Sequence, residues 1–183
     1  MDKYEKALKD YNYISGNEIF DRISTENELN NQMDIINSIV LWKINRTPFI
    51  SKDTIKLIIK IKDVTFDNFD ERIGDITAVI LGLLESKGVR ITIDSTILHF
   101  YNPDVFPIID QRAYRELYKK EIPERCKSND EWTAIYIKYV KDCKTYHKTK
   151  CPHIPFSKID QVLYQLDKSS GKKVKGYWSR ANT

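Results

Sequence analysis

A single carboxylate stands in an apolar frame. In Phe106-Pro107-Ile108-Ile109-Asp110-Gln111-Arg112 the acid follows two isoleucines and lies two residues before an arginine. A carboxylate whose surroundings exclude water exerts a strong field. Such a group can stabilise positive charge growing on a sugar, or orient and deprotonate an attacking water. At a helix start, the same residue can instead cap the helix and pair with Arg112 or Arg46. The residues alone leave both readings open.

Other chemistry-bearing residues are scattered. Lys43 and Arg46, three apart, share a helix face. They either complement a helix C-terminus or point at phosphate or an acid. His99 reads as a packed ring, Asp104 as a cap after Pro103, and Asp94 as a solvated residue on a polar face. The cysteines are Cys126, Cys143 and Cys151. An odd count without close pairing fits free thiols in a reducing compartment. Their spacing to His147 and His153 matches no common metal motif, so no metal is expected.

Composition narrows the class. A 183-residue chain that is 41% hydrophobic and 31% charged has enough apolar content for a core and a well-solvated surface. The formal net charge of +4, from 30 Lys and Arg against 26 Asp and Glu, permits nucleic-acid binding without demanding it. The opening MDKYEKALKDYNY carries no apolar signal core, and the apolar stretch from Ile76 to Leu84 is too short to span a membrane. These features predict a soluble, cytoplasmic protein with no membrane partner.

Helical periodicity dominates. Tyr4, Ala7, Leu8 and Tyr11 predict a first helix over residues 2–14, with Ile19 and Phe20 a brief apolar patch after it. Thr25 and Glu28 have capping-box spacing, ahead of a long helix with Leu29, Met33, Ile36, Ile39, Val40 and Ile44 on one stripe, which Pro48 stops. A helix from Ser51 follows. The next, Ile76 to Leu84, is apolar nearly all round and so predicts the central buried helix. Gly82 within it predicts a close helix contact. Gly88 is placed as a left-handed residue ending it. Val89, Ile91 and Ile93 alternate like a strand, but no partner strand exists, so a helix over 92–101 is expected. Asn102-Pro103 ends that helix. Asp110 begins another, which Pro123 closes. Ser128 and Glu131 form a second capping box, and a last helix runs from Ser157 to Leu166. The expectation is an all-α chain of about eight to ten helices. A domain over 1–167 precedes a basic tail over 168–183, where Tyr177 and Trp178 are either frayed or poised to stack on a base.

The order helix, Gly-Val turn, helix, then Phe-Pro-Ile-Ile-Asp resembles the helix-hairpin-helix DNA glycosylase superfamily. Gly88-Val89 stands for the hairpin, within about 76–101, and residues 106–112 for the acid motif. Gly88 and Asp110 are 22 positions apart, close to the family's usual separation. The match spans about thirty residues. It departs from the family pattern at Lys87, in place of a proline, at Arg90, in place of the second hairpin glycine, and in one extra isoleucine before the acid. Bifunctional members carry a Schiff-base lysine where Thr92 stands here. The four-cysteine iron–sulfur loop of some members is missing, so no cofactor is implied.

The resemblance implies a two-lobed helical bundle that acts as a monomer on duplex DNA with a flipped base. Asp110 would be the catalytic acid of a monofunctional N-glycosylase, working through water. Gly88, Val89 and Arg90 would hold the DNA backbone. Trp42, Tyr101 and Tyr114 would stack on the base, with Lys43, Arg46 and Arg112 also meeting substrate. Arg112 sits roughly where the family has a histidine. The role would be base-excision repair or defence against modified phage DNA. Two other readings compete: a helix-hairpin-helix DNA-binding module without catalysis, and a helical protein-interaction domain.

Overall fold

The computed structural model describes residues 2–10, 17–26, 28–44, 50–123 and 128–173. Arg46, Pro48, Cys126, Tyr177 and Trp178 lie outside them. The described residues are all-helical. The α-helices are α1 (Lys3–Lys9), α2 (Asn17–Thr25), α3 (Leu29–Ile44), α4 (Lys52–Lys60), α5 (Ile73–Leu84), α6 (Ile91–Tyr101), α7 (Gln111–Tyr118), α8 (Asn129–Lys150) and α9 (Ile159–Ser169). Short 3-10 turns, Ile61–Asp63 and Phe156–Lys158, follow α4 and precede α9. None of these helices is long and apolar enough to cross a membrane.

Local chemistry sets several boundaries. Ser51 Oγ accepts from Thr54 N–H at 3.1 Å and starts α4. Ser128 and Glu131 exchange bonds of 3.2 and 2.9 Å as a capping box that starts α8. The Thr25 box does not form. Thr25 is the last residue of α2, its hydroxyl donating to the Asp21 carbonyl at 3.1 Å. Glu26 instead accepts from the N–H of Glu28 at 2.7 Å, just ahead of α3. The apolar patch at Ile19 and Phe20 belongs to α2; α1 ends at Lys9 with Asp10 as its cap, and Tyr11 lies outside the described residues. Lys119, at φ 56°, ends α7 before Pro123 is reached.

The central buried helix is α6, not α5. Every residue from Ile93 to Tyr101 is buried, whereas Gly74, Asp75 and Ala78 leave α5 an exposed face. The helix backbone satisfies two of the polar residues that enter the core here. Ser95 and Thr96 hydroxyls both donate to the Thr92 carbonyl, at 3.0 and 2.6 Å. A single cluster of buried side chains runs from Tyr4 to Leu163 and takes in residues of all nine helices.

At Gly82, α5 meets α4 closely. An added Cβ would lie 2.9 Å from Thr54 Oγ1, and Thr54 is held by Ser51 Oγ at 2.9 Å. Alanine gains about 1 kcal/mol of helix propensity over glycine, but overpacking costs about 1–3 kcal/mol. Gly82→Ala is therefore expected to lower unfolding free energy in urea. Gly82→Ala with Thr54→Ala should recover it, and a neutral single variant would refute the contact.

Candidate active site

Side chains from three helices anchor the backbone of residues 106–109. Phe106 O accepts from His99 Nδ1 at 2.9 Å, so His99 carries its proton there. Pro107 O accepts from Tyr136 OH and Ile108 O from Tyr139 OH, each at 3.0 Å. The Ile108 N–H donates to Asp160 Oδ2 and the Ile109 N–H to Ser95 Oγ, each at 3.2 Å. Ahead of them, Asn102 Nδ2 donates to the carbonyls of Ile61 and Val64, at 2.8 and 2.7 Å. Phe106 and Ile109 are fully buried. An irregular segment in the core needs such partners for its peptide groups. Here they also fix the geometry of the next residue, Asp110.

Asp110 caps α7 from an extended backbone, its Oδ1 accepting from the Ala113 N–H at 2.7 Å. Burial pushes its carboxyl above the ordinary carboxylate range. The Ala113 N–H and the Lys43 ammonium pull it down, the Asp160 charge pushes it up, and the Arg112 N–H pulls it down again. Cap and charged group are thus one residue in one place. The half-buried Lys43, from the end of α3, sits in its field.

The Gly88 turn leads into α6, and the segment before Asp110 runs along that helix, its Phe106 carbonyl on His99 and its Ile109 N–H on Ser95. Gly88 is left-handed at φ 87°, and the Val89 N–H donates to the Ser86 carbonyl at 3.1 Å. Val89 is buried and Arg90 exposed. Arg90 precedes α6 without a side-chain cap, leaving first-turn N–H groups uncapped by side chains. Ser95, in the second turn of α6, bonds the residue next to Asp110.

The other candidate residues lie elsewhere. Tyr101 is 5% exposed and donates to Gln32 Oε1 at 2.5 Å. Tyr114, also 5% exposed, packs 4.5 Å from Tyr118 and 6.4 Å from Tyr139, ring centre to ring centre. Both rings belong to the core, and neither presents an open face to a base. Trp42 is half-buried and edge-on to Phe100 at 5.3 Å. Arg112 turns to α9: its Nη1 donates to Asp167 Oδ2 at 3.1 Å and to the Lys172 carbonyl at 3.3 Å. Arg46 lies outside the described residues.

Sequence reasoning missed Asp160, Tyr136 and Tyr139 as the mount of the acid. The two tyrosines stand three apart on one face of α8, which is a signal, but their targets lie about thirty residues away. It also misplaced Asp94, which is fully buried and unbonded at both oxygens. Burial pushes that carboxyl well above its ordinary range. A group that gains its proton on folding contributes stability below its unfolded value, near pH 4. That stability fades as pH rises toward the folded value. Asp94→Thr, whose hydroxyl can bond back as Thr96 does, is expected to stabilise the fold by about 1–3 kcal/mol at pH 7. Urea titrations at pH 4 and pH 7 should show a shallower decline for the variant; an unchanged difference would place a partner on Asp94.

Cys143 and Cys151 are free and buried, and among the described residues no three His, Cys, Asp or Glu side chains gather as metal ligands. No protein-family model, curated protein or solved structure matches the chain.

Proposed function

We propose that the chain is a monofunctional DNA N-glycosylase with Asp110 as its acid. The observation that carries this reading is the anchored segment 106–109, which runs along α6 and holds next to it a carboxylate that burial pushes above its ordinary range. A fixed charge stabilises a transition state best when it need not reorganise. The Gly88 turn between α5 and α6 supports the reading, since the resembling superfamily carries a glycine turn between two helices.

In the proposed step the C1′–N bond breaks and its electron pair leaves with the base. Positive charge grows on the sugar, and the Asp110 carboxylate stabilises it. A water oxygen bonds to C1′, and Asp110 accepts the water's proton. Thr92 offers no amine for an imine, so the strand stays intact at the abasic site. Uncapped N–H groups at the start of α6, with Arg90, would hold DNA phosphates. A shared backbone grip of this kind needs only modest basicity, and a monomer suffices for it.

The second reading, a DNA-binding module without catalysis, is favoured by the Asp110–Ala113 bond, which any N-cap would make. Incubation with duplexes carrying a panel of damaged, mispaired and modified bases separates the two. The enzyme is expected to give scission only after alkali. Scission without alkali would indicate a lyase, and salt-dependent binding with no excision would favour the module.

A further inference from the structure

Asp160 is 5% exposed and stands in the first turn of α9. Its Oδ2 accepts from the Ile108 N–H at 3.2 Å and its Oδ1 from the Gln161 N–H at 2.9 Å. Among the described residues no basic side chain forms an ion pair with it. Burying a carboxylate without a counter-ion is costly, and a neutral oxygen would accept the same two bonds. The charge itself therefore calls for a role beyond that of an acceptor. Its field reaches Asp110, Tyr136, Tyr139 and the Cys143 thiol, and raises each of them. Asp110 is the carboxyl among them.

We propose that Asp160 is a positioning residue for Asp110: it clamps the acid-bearing segment through the Ile108 N–H and sets a fixed negative charge that opposes the Lys43 ammonium. Asp110 then feels two charges of opposite effect, one from α9 and one from α3. Tyr139 of α8 and the N–H groups of Arg112 and Ala113 complete its polar surroundings. Lys43 favours the ionised acid that waits for substrate. Asp160 makes that carboxylate a readier proton acceptor when water attacks. The inference rests on the glycosylase reading, but its test does not need excision to occur.

The test follows the Asp110 carboxyl by 13C NMR through a pH titration, with Asp110→Asn assigning the signal. Asp160→Asn keeps an acceptor for Ile108 and removes the charge, so the Asp110 titration is expected to move to lower pH. Lys43→Met removes the opposing charge and should move it to higher pH. If Asp160→Asn does not fold, Asp160→Ser takes its place. The low-pH limb of excision should shift with the signal. An Asp110 titration unmoved in the neutral Asp160 variant, with only the melting temperature lowered, would make Asp160 a structural acceptor and overturn the proposal. If the signal shifts while no duplex is ever excised, the glycosylase reading fails and the electrostatic pairing stands.

Discussion

Asp110→Asn is expected to lower base excision by about 10²–10⁴-fold, the range for losing a positioned acid–base group. Duplex affinity should persist, since the proposed backbone contacts near Gly88 would not use this carboxylate. Stability should change little, because asparagine caps a helix about as well as aspartate. The Ala113 N–H keeps its acceptor, and a charge whose burial is unfavourable is removed. Asp110→Ala should lose excision too, and also about 1 kcal/mol of stability with the cap. A purely structural Asp110 predicts the opposite separation, with an effect in the alanine variant alone. On the proposed reading the ionised Asp110 is the working form, and burial raises its folded pKa. Wild-type excision should therefore fail as pH falls through a value above the ordinary 3.8. A limb at or below 3.8 would contradict the desolvated site.

Asp167→Ala is expected to destabilise the fold by about 3 kcal/mol, the low end for breaking a buried pair, because Glu121 stays on Arg115. Arg115 reaches the Asp167 carboxylate with Nε at 2.7 Å and Nη2 at 2.7 Å, and Arg112 adds a third bond at 3.1 Å. Both side chains of the central pair are nearly inaccessible. Arg115 also reaches Glu121 at 2.9 Å and the carbonyl of Lys173 at 3.2 Å. The network ties α7 to α9 and to residues 172–173. Burial pushes the Asp167 carboxyl up, but the Arg115 and Arg112 guanidiniums more than offset this and hold it below the usual range. Its stabilisation is therefore full above the unfolded value near pH 4 and is lost as pH falls below it. Arg115→Met with Asp167→Leu should recover much of the loss, because packed apolar residues replace a buried pair at little cost. Chemical denaturation checks the series, and an Asp167→Ala loss under 1 kcal/mol would refute the network's weight.

Local signals in the chain gave local results. Ser51 and Ser128 cap helices because side-chain oxygens reach N–H groups three residues on. Gly88 takes the left-handed turn that only glycine adopts freely, and the apolar residues before Asp110 are buried as their types imply. The misreadings have physical causes. α6 reads as amphipathic because Asp94, Ser95 and Thr96 are polar, but the Ser95 and Thr96 hydroxyls bond back to the helix and tolerate the core, while Asp94 enters it unbonded. Thr25 and Glu28 have the spacing of a box, but α2 continues through Thr25. Tyr101 and Tyr114 lie in the core; Gln32 and Tyr139, which pack or bond with them, are distant in the chain, and only the Tyr114–Tyr118 contact follows helical spacing. The same holds for Asp160 on Ile108 and Asp167 on Arg115, more than fifty residues apart. Asp110 stands out in the sequence by its apolar frame. The mount that holds it does not.

Base release under single-turnover conditions, from one modified-base duplex at saturating protein, tests the central claim most directly. Free base measured by mass spectrometry should appear with the wild-type chain. It should fall by at least about 10²-fold with Asp110→Asn at equal duplex occupancy. Equal base release by the two proteins, or none by the wild type from any bound duplex, would contradict Asp110 as the acid of a glycosylase.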